Sequence, residues 1–251
     1  MKKFNLGLIS LVLGIVVISI VSASMLIPVN DNAKENSQAP EQSPVINENW
    51  DLERIDFIHY AKPNPSHQGG PSNTCYKLLG VKWTTLPVNY IINPANPQGL
   101  SEAFLTSAIS QSAETWDAVT SKELFNNVYT INYTAQYGVQ NFQNAIVFGD
   151  YPDSGVIGVT TIWYTRVGKR LVEFDMLLNT DFAWGDATIN ASKMDLQNIA
   201  VHELGHGVGL GDIYSLSCST VTMFGYSTEG ETSKRSLEQP DIKGLQVIYG
   251  S

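Results

Sequence analysis

The run His202-Glu203-Leu204-Gly205-His206-Gly207-Val208-Gly209-Leu210-Gly211-Asp212 constrains this chain more than any other stretch. Histidines four apart lie on one face of a helix, so both imidazoles reach a single metal ion and Glu203 can hold a water beside it. Gly209 can take the left-handed conformation that ends a helix and turns the chain back. That turn can bring Asp212 round as a third ligand. Three protein ligands leave a fourth position free, the arrangement of a catalytic zinc site rather than a structural one. An alternative stays open: Asp212 as a polar turn residue, with Glu229 or Glu231 as the third ligand. His59 and His67 precede the expected domain and are poor candidates.

The start Met1-Lys2-Lys3 and the apolar run from Leu6 to about Val29 form a targeting segment. Its basic end stays inside, so the rest is expected to be exported. Residues 1–29 are either a signal peptide cut after small residues such as Ser22-Ala23-Ser24 or a retained membrane anchor. Residues 30–74 read as a flexible linker, because Asn, Glu, Gln, Ser and Pro bury too little apolar surface to offset ordering. Within them Trp50 to Tyr60 regains apolar character, as a short pro-segment or an arm packed on the back of the domain. Residues 75–251 form the folded domain. The net charge of −9 and the lack of any Lys/Arg cluster argue against nucleic acid.

Val88–Ile92 reads as a strand closed by Asn93-Pro94. Ser101 is a plausible N-cap for a helix running to about Ala118, with Leu105, Ala108, Ile109, Ser112, Ala113 and Trp116 at helical spacing. Further strands are expected at Val128–Tyr133, Ala145–Phe148, Val156–Tyr164 and Leu171–Leu178, the last two as an antiparallel hairpin. A helix from about Lys193 carries the metal motif, and a final one runs from Gln239, where Pro240 suits the first turn, to Tyr249.

This order resembles the metzincin metallopeptidases, and the likeness is greatest to the matrixin catalytic domain. It is carried by Lys82-Trp83, by Phe174-Asp175-Met176-Leu177-Leu178-Asn179 with Trp184, by the motif, and by the ending from Leu237 to Gly250. The resemblance implies an α+β fold: a mixed, mostly parallel twisted sheet with one antiparallel edge strand and the active-site helix under it. A small C-terminal subdomain would hold a Met-turn and the final helix. Met223 sits where the family has that turn, a hydrophobic floor beneath the metal. Tyr226 is a candidate transition-state stabiliser, at a spacing one residue longer than in family members that use such a tyrosine; Tyr214 is a more distant one. Where most metzincins have a third histidine this chain has Asp212, which looks like the snapalysin-type variant. A second, structural zinc is not expected, for want of histidines. Calcium is a further candidate cofactor, with Asp150, Asp153 and Asp181 as oxygen ligands.

The resemblance implies an extracellular endopeptidase acting on protein or peptide substrates, with one catalytic zinc on His202, His206 and Asp212 and Glu203 as general base. Substrate would extend along an exposed strand edge, Val156–Tyr164. Exported cysteines ordinarily pair, which suggests Cys75–Cys218. Alternatively Cys75 stands roughly where matrixin pro-segments carry an inhibitory cysteine, although Ser72-Asn73-Thr74-Cys75-Tyr76 lacks their Pro-Arg-Cys-Gly context. A monomer is expected, with membrane contact only through the N-terminal segment. The competing function class is an inactive binding or adhesion module at the cell surface, which should have lost Glu203 or a ligand.

Overall fold

A computed structural model describes residues 51–61 and 74–251. The targeting run, most of the linker and His67 lie outside the described residues. Among the described residues no helix is long and apolar enough to cross a membrane.

The fold is α+β. Its main sheet has six strands: β1 (Leu52–Tyr60), β2 (Ile91–Ile92), β3 (Thr130–Ile131), β4 (Ala145–Gly149), β5 (Val156–Thr165) and β6 (Leu171–Asn179). They lie in the order β1-β5-β6-β4-β2-β3. β2, β3, β4 and β6 pair in parallel, whereas β5 runs antiparallel to both β6 and β1. Every residue of β5 is buried: α2 packs on it, and the loop bearing Tyr137, whose OH lies 2.7 Å from Thr161 Oγ1, also touches it. The β5–β6 hairpin turns through Gly168 and Lys169, both at positive φ. A two-stranded pair, β7 (Trp184–Gly185) and β8 (Met194–Asp195), leads into the metal-motif helix.

Among the described residues three α-helices complete the fold. α1 (Glu102–Asp117) starts where the Ser101 side chain accepts the Phe104 N–H, and its apolar stripe packs on α2 (Leu196–Gly207). Trp116 Nε1 donates to Val201 O at 2.8 Å, tying the two together. Asp195 caps α2 through Asn198 N, so that helix begins three residues later than the sequence suggests. α3 (Gln239–Tyr249) has Pro in its first turn and a capping box between Glu238 and Asp241.

Two expected strands are shorter than their hydrophobic patterns. Of Val88–Ile92 only Ile91–Ile92 joins the sheet, and Val88 bridges separately to Phe125. Of Val128–Tyr133 only Thr130–Ile131 pairs, because the Asn126 and Asn132 side chains take the Val128 and Thr134 N–H groups at 3.0 and 2.9 Å. Such local side-chain bonds compete with a ladder.

The largest departure is β1. It is neither outside the fold nor on the back of the domain. It pairs with β5 along its length, from Leu52 opposite Thr165 to Tyr60 opposite Val156. The one antiparallel strand is therefore second from the edge, and the edge expected to be open to substrate is covered.

Candidate active site

Helix α2 places His202, Glu203 and His206 one turn apart, all buried. His202 Nδ1 lies 2.7 Å from Thr222 O and His206 Nδ1 lies 2.9 Å from Leu210 O. A carbonyl can only accept, so each Nδ1 carries the proton and each Nε2 keeps a lone pair. Both Nε2 atoms converge on Asp212 Oδ1, at 3.2 and 3.5 Å. All three atoms are buried without a hydrogen-bond partner, and their donor atoms lie within 4.8 Å of one another. Orphaned buried polar atoms are rare and costly, and three of them aimed at one another fit a metal ion.

The turn after the helix follows from its glycines. Gly209 has φ +99, and a Cβ there would meet Val81 O at 2.5 Å. The reversal is held by Leu210 N to Gly205 O at 3.0 Å and Gly211 N to Lys77 O at 2.9 Å. Asp212 then faces the histidines. Burial would raise its pKa, but His206 and His202 beside it hold the carboxyl well below the usual range. Its other oxygen accepts from Tyr214 OH at 3.1 Å, a positioning contact that the sequence does not show. Gly225 leaves room for it, since a Cβ there would lie 2.4 Å from the Tyr214 ring.

Met223 closes the site from below. A Cβ at Gly205 would come within 2.3 Å of Met223 Sδ and 2.7 Å of the Trp116 ring, so the thioether packs directly against the helix between the two histidines. Asp241, at the start of α3, accepts the Thr222 and Met223 N–H groups at 2.9 and 3.2 Å. The last helix thus fixes the turn beneath the two histidines. Tyr226 packs edge-on to Tyr214, ring centroids 5.3 Å apart, and its carbonyl accepts from the buried Lys234 Nζ. Glu231 is paired with Lys234 and accepts from Ser227 Oγ.

Glu203 is fully buried, and burial raises its pKa. One oxygen accepts from Thr160 Oγ1 at 2.6 Å. The other lies 3.2 Å from Nδ1 of His59, a residue whose sequence position ahead of the domain had argued against it. The His59 ring lies 3.9 Å from that of His202, and Phe57 stacks on His206 at 4.1 Å, nearly parallel. Burial pushes His59 down to about 3 and His202 down to about 4, which keeps both rings neutral. Burial lowers the His206 pKa too, but Asp212, Glu203 and the Leu210 carbonyl together raise it.

Cys75 and Cys218 form a disulfide. Asp150 and Asp181 are exposed; so is Asp153, whose Oδ1 accepts the N–H of Gly155 in a turn at 2.9 Å. Among the described residues none of these three joins a group of donor atoms that could hold an ion.

With this geometry in view, the family model for matrixin matches residues 82–250. The chain belongs to the matrixin family. It is 27% identical to matrix metalloproteinase-25 of Mus musculus over 176 residues, which cover 70% of this chain and 28% of that protein. It is 29% identical to neutrophil collagenase of Homo sapiens over 173 residues, 67% and 33% of the two. A third relative, metalloendoproteinase 4-MMP of Arabidopsis thaliana, is 30% identical over 124 residues, 47% and 34% of the two chains. The matched part thus spans about a third or less of these relatives. Zinc is the metal the matrixin family implies, and the donors here, two imidazoles and a carboxylate, suit it. The match begins at Lys82, so β1 and His59 lie ahead of it.

Proposed function

We propose that this matrixin is an exported zinc endopeptidase that hydrolyses peptide bonds in proteins, with Glu203 as general base. The observation that carries the reading is the set of orphaned donors on His202, His206 and Asp212 with the Glu203 carboxylate on the adjoining turn face. Zinc held by these residues supplies Lewis-acid polarisation of the scissile carbonyl and makes a water more acidic. The chain's residues do the rest. Thr160 Oγ1 fixes one Glu203 oxygen, which leaves Oε1 to take a proton from water and pass it to the leaving nitrogen. Burial, by raising the Glu203 pKa, helps the carboxyl keep that proton between the two transfers. Thr222 and Leu210 carbonyls keep both imidazoles in the tautomer that presents Nε2. Met223 supplies a dry floor. Tyr226, beside Tyr214, is the candidate for stabilising charge on the substrate oxygen. Export is supported by the disulfide, which persists in an oxidising compartment.

The test is Glu203→Gln. The variant should bind as much zinc as the parent and melt at a similar temperature, while hydrolysis of a quenched peptide drops by about 100-fold to 10,000-fold, the usual worth of a general base. Retention of the parent rate at full zinc content rules out the general-base role.

A further inference from the structure

The function just proposed needs a peptide to lie across the metal site, yet the chain's own β1 lies there. β1 is antiparallel to β5 and takes the whole of that edge. On its other side Tyr60 bridges in parallel to Tyr226, with Ser227 N donating to Tyr60 O at 3.2 Å. The end of the strand is thus held on both sides, as an extended peptide entering a cleft would be. Its side chains alternate accordingly. Arg54 and Asp56 face water, whereas Phe57 and His59 are buried over α2. Phe57 covers His206, and His59 fills the space between His202 and Glu203. His59 pairs with Gly158, where a Cβ would come within 3.0 Å of Glu203 Oε1. The missing side chain on β5 makes room for the Glu203 carboxylate at the point where the imidazole enters.

We infer that Leu52–Tyr60 is an intramolecular inhibitor: it occupies the substrate edge of β5, and its His59 takes the place beside Glu203 that the attacking water must hold. The inhibitory group is then an imidazole on a strand, and not Cys75, whose sulfur is committed to Cys218. Polar contacts set the register of the strand. Thr161 Oγ1 donates to Asp56 Oδ1 at 2.6 Å, and Tyr164 OH donates to Glu53 Oε2 at 2.5 Å. Because β1 is tethered to the domain, its effective concentration is of millimolar order, so it outcompetes any substrate present at lower concentration with similar affinity. Activity then requires that β1 leave the cleft.

The inference rests on the peptidase reading, and the experiment separates the two. A cleavage sequence for an unrelated protease is placed between residues 62 and 73, and the intact chain is compared with the cut chain freed of its N-terminal piece. The cut chain should hydrolyse a quenched peptide with kcat/KM at least about tenfold higher. A peptide hydroxamate, which reports an open metal cleft without turnover, should bind it tighter by a similar factor. Synthetic peptide 51–61 added back should restore inhibition, and the same peptide carrying His59→Ala should do so about tenfold less well. In the uncut chain, His59→Ala alone should raise activity. Equal hydrolysis and equal hydroxamate binding before and after the cut overturn the inference. Loss of the folded circular dichroism spectrum on cutting also overturns it, since β1 would then be a fixed part of the core. Tighter hydroxamate binding without any peptide hydrolysis keeps the inhibitory strand and refutes the peptidase.

Discussion

Two regions bring imidazoles to one site, and they are specified in different ways. In α2 and its turn, His202, His206 and Asp212 are positioned by spacing, by a glycine at φ +99, and by carbonyls within the same few turns or just beyond. In β1, His59 is positioned by pairing with a strand a hundred residues later, His59 opposite Gly158. The first arrangement leaves each Nε2 free and aimed at a common point. In the second, Nδ1 rests on Glu203 and the ring lies 3.9 Å from that of His202, tilted by 35°. One region builds the site and the other fills it. Removing His202, His206 or Asp212 should cost most of the metal affinity, whereas removing His59 should release function.

The largest effect is expected at Asp212. Asp212→Ala removes the one charged donor and leaves two neutral imidazoles, so zinc affinity measured against a competing chelator should fall by at least about 1,000-fold. Affinity within tenfold of the parent would mean that the third donor is elsewhere. Glu231 would then be the residue to examine, although its contacts are with Lys234 and Ser227. In the same assay His59→Ala should leave zinc affinity nearly unchanged. The contrast between these two variants is the sharpest check on the division of roles.

The same division explains what could be read from the chain. The helix of the motif, its turn, the cap at Ser101 and the final helix from Gln239 rest on cues a few residues apart, and they are where the sequence placed them to within a few residues. The hairpin of β5 and β6 was legible for the same reason. β2 and β3 came out shorter, because asparagine side chains bind backbone N–H groups that hydrophobic periodicity assigns to a ladder. β1 was missed as part of the site because no local feature says which edge a strand will join. A signal did exist in the alternation of Ile55, Phe57 and His59 with Arg54, Asp56 and Ile58, one face aromatic and the other partly charged. Tyr214 and Asp241 act through contacts visible only in three dimensions, on Asp212 and on the Met223 turn.

A smaller effect tests how the first region holds its third donor. Tyr214 OH is the hydrogen-bond donor to the Asp212 oxygen that does not face the histidines. Tyr214→Phe removes this bond and keeps the ring that fills the space over Gly225. Losing such an outer partner ordinarily weakens metal binding by about 10-fold to 100-fold. The folded spectrum should be unchanged. If the Phe variant binds zinc as tightly as the parent, backbone geometry alone holds Asp212.

The smallest effect concerns whether an orphaned atom at the site means what it is taken to mean. Three such atoms face one another on His202, His206 and Asp212; among the described residues the other two are His59 Nε2, on the strand that fills the site, and Asp117 Oδ2, outside the site at the end of α1. Asp117 has no imidazole beside it. Its Oδ1 accepts from Leu124 N at 2.6 Å and Phe125 N at 3.3 Å, yet burial outweighs these bonds and pushes its pKa up to about 6. A lone buried carboxyl of this kind is relieved by a proton, whereas Asp212 is held well below the usual range by two histidines and stays ionised. The sign follows from linkage. A carboxyl with a folded pKa above its unfolded value stabilises the fold fully below the unfolded value, and that contribution is lost as pH rises through about 6. Asp117→Asn keeps an acceptor for both backbone N–H groups and cannot ionise. Between pH 4.5 and 7.5 the parent should therefore lose more stability than the variant, by on the order of 1 kcal/mol, since the group is partly open to solvent. The metal site titrates alike in both proteins and cancels in the difference. Parallel melting curves across that range would show that the Asp117 orphan is satisfied in some other way, and the inference from orphaned atoms to metal donors would then need Asp212→Ala to support it alone.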